Sequence, residues 1–107
     1  MRSIARRPRT LDRVSLSEKI VALELIFHRR AEKVLRRIQP KTMAAITAAL
    51  ERIAAAPFDQ HPNVKPLAGT KDGFRLRHGD WRVLYRIDRT ANRMIVEIVG
   101  PRGDVYK

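Results

Sequence analysis

The sequence contains no cysteine, which excludes disulfide bonds and metal sites built from thiolates. Aromatic residues are scarce, and no apolar run approaches the roughly 20 residues that a membrane-spanning helix needs. The first twenty residues are basic and lack the apolar stretch of a secretory signal. The three histidines, His28, His61 and His78, are too scattered to indicate a metal cluster. We therefore expect a cytoplasmic protein without a metal or other cofactor.

Acidic residues are also few, with 11 Asp and Glu against 23 Lys and Arg, which gives a formal net charge of +12. A charge of this size favours a polyanionic partner: a nucleic acid, an anionic membrane surface or an acidic protein. Arginine outnumbers lysine, which suits bidentate contacts with phosphate but also fits a GC-rich genome. The net charge alone does not choose among these partners.

Hydrophobic periodicity predicts one α+β domain. Residues 21–27 alternate as a mostly buried strand, and apolar residues then recur at helical spacing on both sides of Pro40. Pro57 ends the second helix, and two helices joined by so short a break should form an antiparallel hairpin. Residues 57–73, rich in turn-forming residues, predict a loop in which residues 64–67 can be extended.

Three strands are predicted after this loop, at residues 74–77, 81–88 and 94–99. Glu97 is the single polar residue between Met94 and Val99, so the last strand is expected at the centre of the sheet. The element order is β-α-α-β-β-β. The sequence therefore predicts a helical hairpin packed on one face of a mostly antiparallel four-stranded sheet, class α+β.

Residues 1–20 precede this domain and have weak apolar periodicity. They predict a basic flexible arm, and an extension with no function of its own is an equally good interpretation. The domain proper is predicted to span residues 21–107. A chain that starts at Val21 should therefore fold, which thermal unfolding of the truncated chain would check. An unfolded truncated chain would place the arm within the domain.

Arginines alternate with large apolar residues in FRLRHGDWRVLYRI, residues 74–87. Alternate residues of a strand face opposite sides of the sheet, so Trp81, Val83, Tyr85 and Ile87 share the face that meets the helices. The outward face then carries Arg75, Arg77, Arg82 and Arg86. Half-exposed strands commonly carry arginine outward, so alternation alone favours a plain solvated face. The net charge argues for a phosphate-binding face.

This run, with VGPRGDVYK at residues 99–107, resembles the RelE/ParE superfamily of bacterial toxin–antitoxin toxins. The family signature is a basic strand, a YRVLYRI-like strand and a late GxR…Y ending. Residues 65–69, KPLAG, are similar to the family's K-x-L-x-G segment. The resemblance covers residues 22–107 and favours the RelE branch.

The RelE branch implies a ribosome-dependent endoribonuclease that cuts mRNA and so inhibits translation. The ribose 2′-OH attacks the adjacent phosphate and leaves a 2′,3′-cyclic phosphate and a 5′-OH. Motif by motif, the resemblance places the catalytic residues at Arg75, Arg77, Arg82, Arg102 and Tyr106. It assigns RNA binding to Lys65, Lys71 and Arg86. Because arginines can neutralise the phosphate and no carboxylate cluster is offered, we expect no metal.

One departure from the family concerns the general base. Family members often have lysine where Arg75 and Arg77 stand, and arginine holds its proton too tightly to act easily as a base. Arg77 is therefore assigned to electrostatic stabilisation, and the base is left open between Tyr106 and His78. Imidazole suits this role chemically, but a solvent-exposed loop histidine is the simpler interpretation of His78.

Two alternatives stay open. A ParE-like toxin shares the fold but inhibits DNA gyrase without catalysis, and a basic nucleic-acid-binding module would need no toxicity. For either toxin branch, the resemblance implies a cognate acidic antitoxin bound in a hetero-oligomer. The further partners are the ribosome and mRNA for the RelE branch, gyrase for the ParE branch, and no membrane for either.

Overall fold

The computed structural model describes residues 22–101, which form two helices and a five-stranded sheet. In chain order the elements are β1 (Glu24–Phe27), α1 (Arg29–Arg37), α2 (Pro40–Ala55), β2 (Val64–Pro66), β3 (Gly73–His78), β4 (Trp81–Asp88) and β5 (Arg93–Pro101). The sheet order is β1-β5-β4-β3-β2. Strands β1 and β5 are parallel, and the other three pairs are antiparallel. The predicted α+β class and mostly antiparallel sheet are confirmed.

The predicted count of four strands is wrong, because residues Val64–Pro66 form a fifth, β2, at the edge of the sheet. The backbone N–H of Arg77 donates to the Asn63 carbonyl at 2.9 Å, and that of Leu67 donates to the Gly73 carbonyl at 2.9 Å. Pro66 has no N–H to donate, which an edge strand tolerates. Strand β2 is therefore maintained by its pairing with β3.

The two helices are separated at Pro40, as the sequence predicts. The His28 side chain begins α1 by accepting a hydrogen bond from the backbone N–H of Arg30 at 3.1 Å. Pro40 occupies the first turn of α2, where its missing N–H has no intrahelical partner to lose. Neither described helix is long and apolar enough to cross a membrane. The hairpin covers one face of the sheet with buried side chains that include Ala31, Leu35, Ile46, Leu50 and Ile53.

Strand β5 is an interior strand, with β1 on one side and β4 on the other, but the centre of the five-stranded sheet is β4 and not β5 as predicted. Its register with β4 shifts at Glu97, so Tyr85 pairs with Val96 while Leu84 pairs with Ile98. This extra residue is a β-bulge. Because of it, Val96 and Val99 both reach the core although an odd number of positions separates them.

A charged contact ties the loop before β3 to the turn between β4 and β5. The Asp72 carboxylate accepts hydrogen bonds from Nε and Nη2 of Arg89 at 2.8 and 3.0 Å. The same guanidinium group lies 4.3 Å from the centre of the Phe58 ring. The hydrogen bond from Arg89, together with its charge, holds the pKa of the Asp72 carboxyl below its usual value.

This contact predicts a specific dependence of stability on pH. Since the folded-state pKa of Asp72 is lowered, its stabilising effect is complete above the ordinary value of 3.8 and is lost as pH falls further. Asp72→Asn should therefore lower the free energy of unfolding at pH 6 more than at pH 3, as denaturant titrations would show. Asp59→Asn, at an exposed position, is the matched control. An equal loss at both pH values would contradict a stabilising role for the carboxylate charge.

Candidate nucleic-acid interface

The hairpin of β3 and β4 brings the predicted strand arginines together. Arg77 is paired with Arg82 across the two strands, and Arg75 lies between Leu84 of β4 and Lys65 of β2. Residues paired across strands share a face of the sheet. Because Leu76 and Val83 of the same strands are buried in the core, the basic side chains lie on the face opposite the helices.

Two adjoining cavities open on this face. The first has a volume of about 320 Å³ and is lined by Asn63, Arg77, His78, Gly79, Asp80 and Arg82. The second has a volume of about 170 Å³ and is lined by Asn63, Val64, Lys65, Arg75 and Arg77. They share Asn63 and Arg77, so we treat them as one arginine groove. Its four cations make the groove a suitable site for phosphate.

Arg82 is fixed in the groove by the turn that precedes it. The residue is 8% exposed, and its Nη1 donates to the carbonyls of Gly79 at 2.8 Å and Trp81 at 3.0 Å. Gly79 has a φ of 57°, a left-handed conformation that glycine adopts without strain. Arg82 is the second residue of β4, and its burial shows that it does not belong to a plain solvated face. Its guanidinium group is thus held in place before any ligand binds.

Two of the predicted RNA-binding residues lie apart from the groove. Arg86 is exposed, and its Nε donates to the Glu97 carboxylate at 2.8 Å, so part of its charge is already neutralised. Lys71 is an exposed loop residue. Neither lines the two cavities, whereas Lys65 does.

The groove also contains two residues that the sequence does not single out. Asn63 has a φ of 66° and reaches both cavities because its carbonyl accepts the first hydrogen bond between β2 and β3. Asp80 lines the first cavity with His78, the predicted candidate base. An asparagine just before a strand, and an aspartate in a Gly-Asp turn, are signals of turns and carry no functional meaning by themselves.

Arg102 and Tyr106 lie outside the described residues. The last described residue, Pro101, pairs with Trp81, and Gly100 pairs with Arg82. The chain therefore leaves β5 at the same end of the sheet as the arginine groove.

The aromatic residues of β3 and β4 lie on the opposite side of the sheet. The rings of Phe74 and Tyr85 stack with centroids 5.3 Å apart, and burial raises the pKa of the Tyr85 hydroxyl.

Trp81 is half-buried and borders an apolar groove of about 590 Å³ between α1 and the end of the sheet. This helix-side groove is lined by Val34, Arg37, Ile38, Gln39, Thr42, Trp81, Val99 and Pro101.

Comparison with protein families identifies the chain. The sequence model of the ParE toxin of the type II toxin–antitoxin system parDE matches residues 25–106. The chain belongs to this toxin family. Its predicted place in the RelE/ParE superfamily is thereby confirmed, and the protein is a toxin of a type II toxin–antitoxin system. A search of curated protein sequences gives no significant match.

Solved structures of related toxin systems share the fold. A chain of the RelBE2 toxin–antitoxin complex from Mycobacterium tuberculosis is 27% identical, with a TM-score of 0.62 over 77% of this chain and 100% of that chain. A chain of the RelE–RelB complex from Pyrococcus horikoshii is 22% identical, with a TM-score of 0.67 over 78% and 98%. The isolated RelE toxin of E. coli is 24% identical, with a TM-score of 0.67 over 79% and 92%. The P. horikoshii and E. coli structures, which are 22% and 24% identical, show only that the fold is shared.

Proposed function

We propose that this toxin is a ribosome-dependent endoribonuclease that acts on mRNA in the cytoplasm, and that its arginine groove binds the scissile phosphate. The observation that carries the proposal is the convergence of Lys65, Arg75, Arg77 and Arg82 on adjoining cavities, with Arg82 already fixed by two carbonyls. Transition-state charge is stabilised best by donors that need no reorganisation during the reaction. The groove has that property.

The reaction needs three contributions from the protein. A base removes the proton from the ribose 2′-OH, the O2′–P bond forms, and the P–O5′ bond breaks as an acid protonates the leaving oxygen. Arg77 and Arg82 stabilise the negative charge that develops on the phosphate oxygens, with Arg75 beside them. Positive charge that a metal supplies in other nucleases is supplied here by guanidinium groups. Arg102 is proposed to support the phosphate from the segment that follows β5.

The proposed candidates for the general base are His78 and Tyr106. His78 lines the groove next to Arg77, and a neutral imidazole can accept the 2′-OH proton. Tyr106 would then donate the proton to the leaving oxygen. If Tyr106 is the base, His78 takes the position of the acid. Single substitutions His78→Gln and Tyr106→Phe, compared across pH, separate the two assignments.

A second candidate function is inhibition of DNA gyrase without catalysis, which is favoured by the match to the ParE toxin model. Controlled expression of the toxin in bacteria separates the two. The nuclease proposal expects new mRNA 5′ ends and arrested translation, with intact DNA. The gyrase alternative expects DNA damage and filamentous cells, with unchanged mRNA ends.

We also propose a cognate acidic antitoxin as the partner of this chain. The structures from M. tuberculosis and P. horikoshii are toxin–antitoxin complexes. Here the helix-side groove offers apolar residues Val34, Ile38 and Val99 beside Arg37. An antitoxin helix in that groove would bury apolar surface, and its acidic residues would pair with nearby arginines. The toxin and antitoxin would then form a hetero-oligomer.

The two kinds of partner should respond differently to salt. Buried apolar contacts carry most of the affinity between proteins, whereas charge mainly sets association rate and specificity. RNA binding releases counterions and weakens steeply with salt. We expect added salt to slow antitoxin association with little loss of affinity, but to weaken RNA binding strongly, as surface plasmon resonance would measure. Equally steep dependence for both partners would show that the antitoxin binds mainly by charge.

A further inference from the structure

The basic side chains of the arginine groove form two rows across the sheet. Arg77 is paired with Arg82, and the chain reaches Asn63 where this first row meets β2. Arg75 is paired with Lys65 of β2 and forms the second row. Because Arg75 and Arg77 are two residues apart in β3, the backbone positions of the two rows are about 7 Å apart. The second row lines the second cavity, whereas Arg82 lines only the first.

The two cavities differ in the chemistry that they offer. The first contains the imidazole of His78 and the carboxylate of Asp80 beside its arginines. The second has three cations in its lining and neither an acidic residue nor a histidine. Ammonium and guanidinium groups keep their charge at neutral pH. The second cavity is therefore equipped to hold an anion but not to transfer a proton.

The lining of the second cavity favours a phosphate group over a nucleobase. Bases of single-stranded RNA are held mainly by stacking on aromatic rings, and no aromatic residue lines this cavity. Val64 is its only apolar lining residue. Lysine and arginine bind phosphate oxygens through charge-assisted hydrogen bonds. Two such rows, separated by two residues of a strand, have a spacing similar to that of consecutive phosphates in an extended RNA strand.

The basic rows end after the second one. The next pair along the same two strands is Gly73 with Arg86. Arg86 donates to the Glu97 carboxylate at 2.8 Å, and neither residue of this pair lines a cavity of the groove. The groove thus offers places for two phosphates and not for a longer row of them.

We infer that the second cavity is a subsite for the phosphate next to the scissile one, and that Lys65 contacts it together with Arg75. The inference rests on the proposed function for the assignment of the scissile phosphate to the first cavity. The preferred ligand is then a single RNA strand with two consecutive charged phosphates. Lys65 determines this preference and takes no part in the bond changes.

The test measures binding of short oligouridylates to the full chain by isothermal titration calorimetry at low salt. The probes are a dinucleotide, a trinucleotide and a tetranucleotide without terminal phosphates, and 2′-O-methyl groups prevent their cleavage. The second phosphate of the trinucleotide should strengthen binding on the order of 10-fold, and the third phosphate of the tetranucleotide by less than about twofold. A neutral methylphosphonate in place of either phosphate of the trinucleotide should remove the gain.

Variants of Lys65 assign that gain to the second cavity. Lys65→Gln should bind the trinucleotide no more tightly than the dinucleotide, while its affinity for the dinucleotide is kept because the first cavity is intact. Lys65→Arg retains the charge and should retain the gain. Lys41→Gln, at an exposed position of α2 that lines neither cavity, is the matched control and should also retain it. Equal melting temperatures show that the variants are folded.

Three results would overturn the inference. Affinity that rises by equal steps up to the tetranucleotide would mean general attraction by charge. Equal weakening of dinucleotide and trinucleotide binding by Lys65→Gln would place Lys65 at the first phosphate. A gain that survives methylphosphonate substitution would assign the second cavity to a base or a sugar. The nuclease proposal fails separately, since stepwise binding without mRNA cleavage would refute the nuclease alone, and cleavage without stepwise binding would refute the subsite alone.

Discussion

Arg82→Ala is expected to slow mRNA cleavage on the order of 100–1,000-fold, because removal of one charge-stabilising donor raises the barrier by about 2.7–4 kcal/mol. Arg82 lines the first cavity of the arginine groove and is held there by the carbonyls of Gly79 and Trp81. Among the residues of β4, Arg82 alone lines the arginine groove. Single-turnover cleavage of mRNA on purified ribosomes measures the effect.

The control for this prediction is Arg86→Ala, four residues further along the same strand. Arg86 is exposed, pairs with Glu97 and lines neither cavity, so its loss should change the cleavage rate by less than about threefold. Arg82→Ala also leaves two carbonyls without their donor, which should lower stability by about 1–3 kcal/mol. Cleavage is therefore compared at a temperature where both variants are folded. A folded Arg82→Ala protein that cleaves at the wild-type rate would remove Arg82 from the mechanism.

Ile46→Ala is expected to lower the free energy of unfolding by about 2–5 kcal/mol. Ile46 is fully buried where α2 packs on the sheet, so the substitution removes apolar contacts and leaves a cavity. Met43→Ala is the matched control, because Met43 lies one turn earlier on α2 and is 36% exposed. Its loss should destabilise the protein by less than about 1 kcal/mol. Urea titrations measure both values, and similar losses would contradict the placement of the core.

The main elements of the fold can be predicted because their signals are local. Apolar residues at helical spacing define α1 and α2, Pro40 separates them, and the mostly apolar composition of β5 indicates an interior strand. Strand β2 has no such signal, since three residues set among turn formers show no period. It is held at the sheet edge by antiparallel pairing with β3 across the loop of residues 67–72, and this pairing produces no periodic pattern in the sequence.

The candidate site is predictable to a smaller extent. The alternation of arginines with apolar residues in β3 correctly predicts that Arg75 and Arg77 lie on the outward face of the sheet. The burial of Arg82 depends on two turn carbonyls, and the pairing of Arg86 with Glu97 spans two neighbouring strands at a bulge. Neither contact can be predicted from the spacing of residues in the sequence. The same holds for Asn63, which enters the groove through the pairing of β2.

The chemical identity of the RNA ends tests the central claim most directly. Purified toxin is incubated with mRNA alone, and with ribosomes translating that mRNA, and the new ends are then analysed. The account predicts 2′,3′-cyclic phosphate and 5′-OH ends that appear only when ribosomes are present and are lost with Arg82→Ala. Intact mRNA under both conditions, with DNA gyrase inhibited by the same toxin preparation, would contradict it.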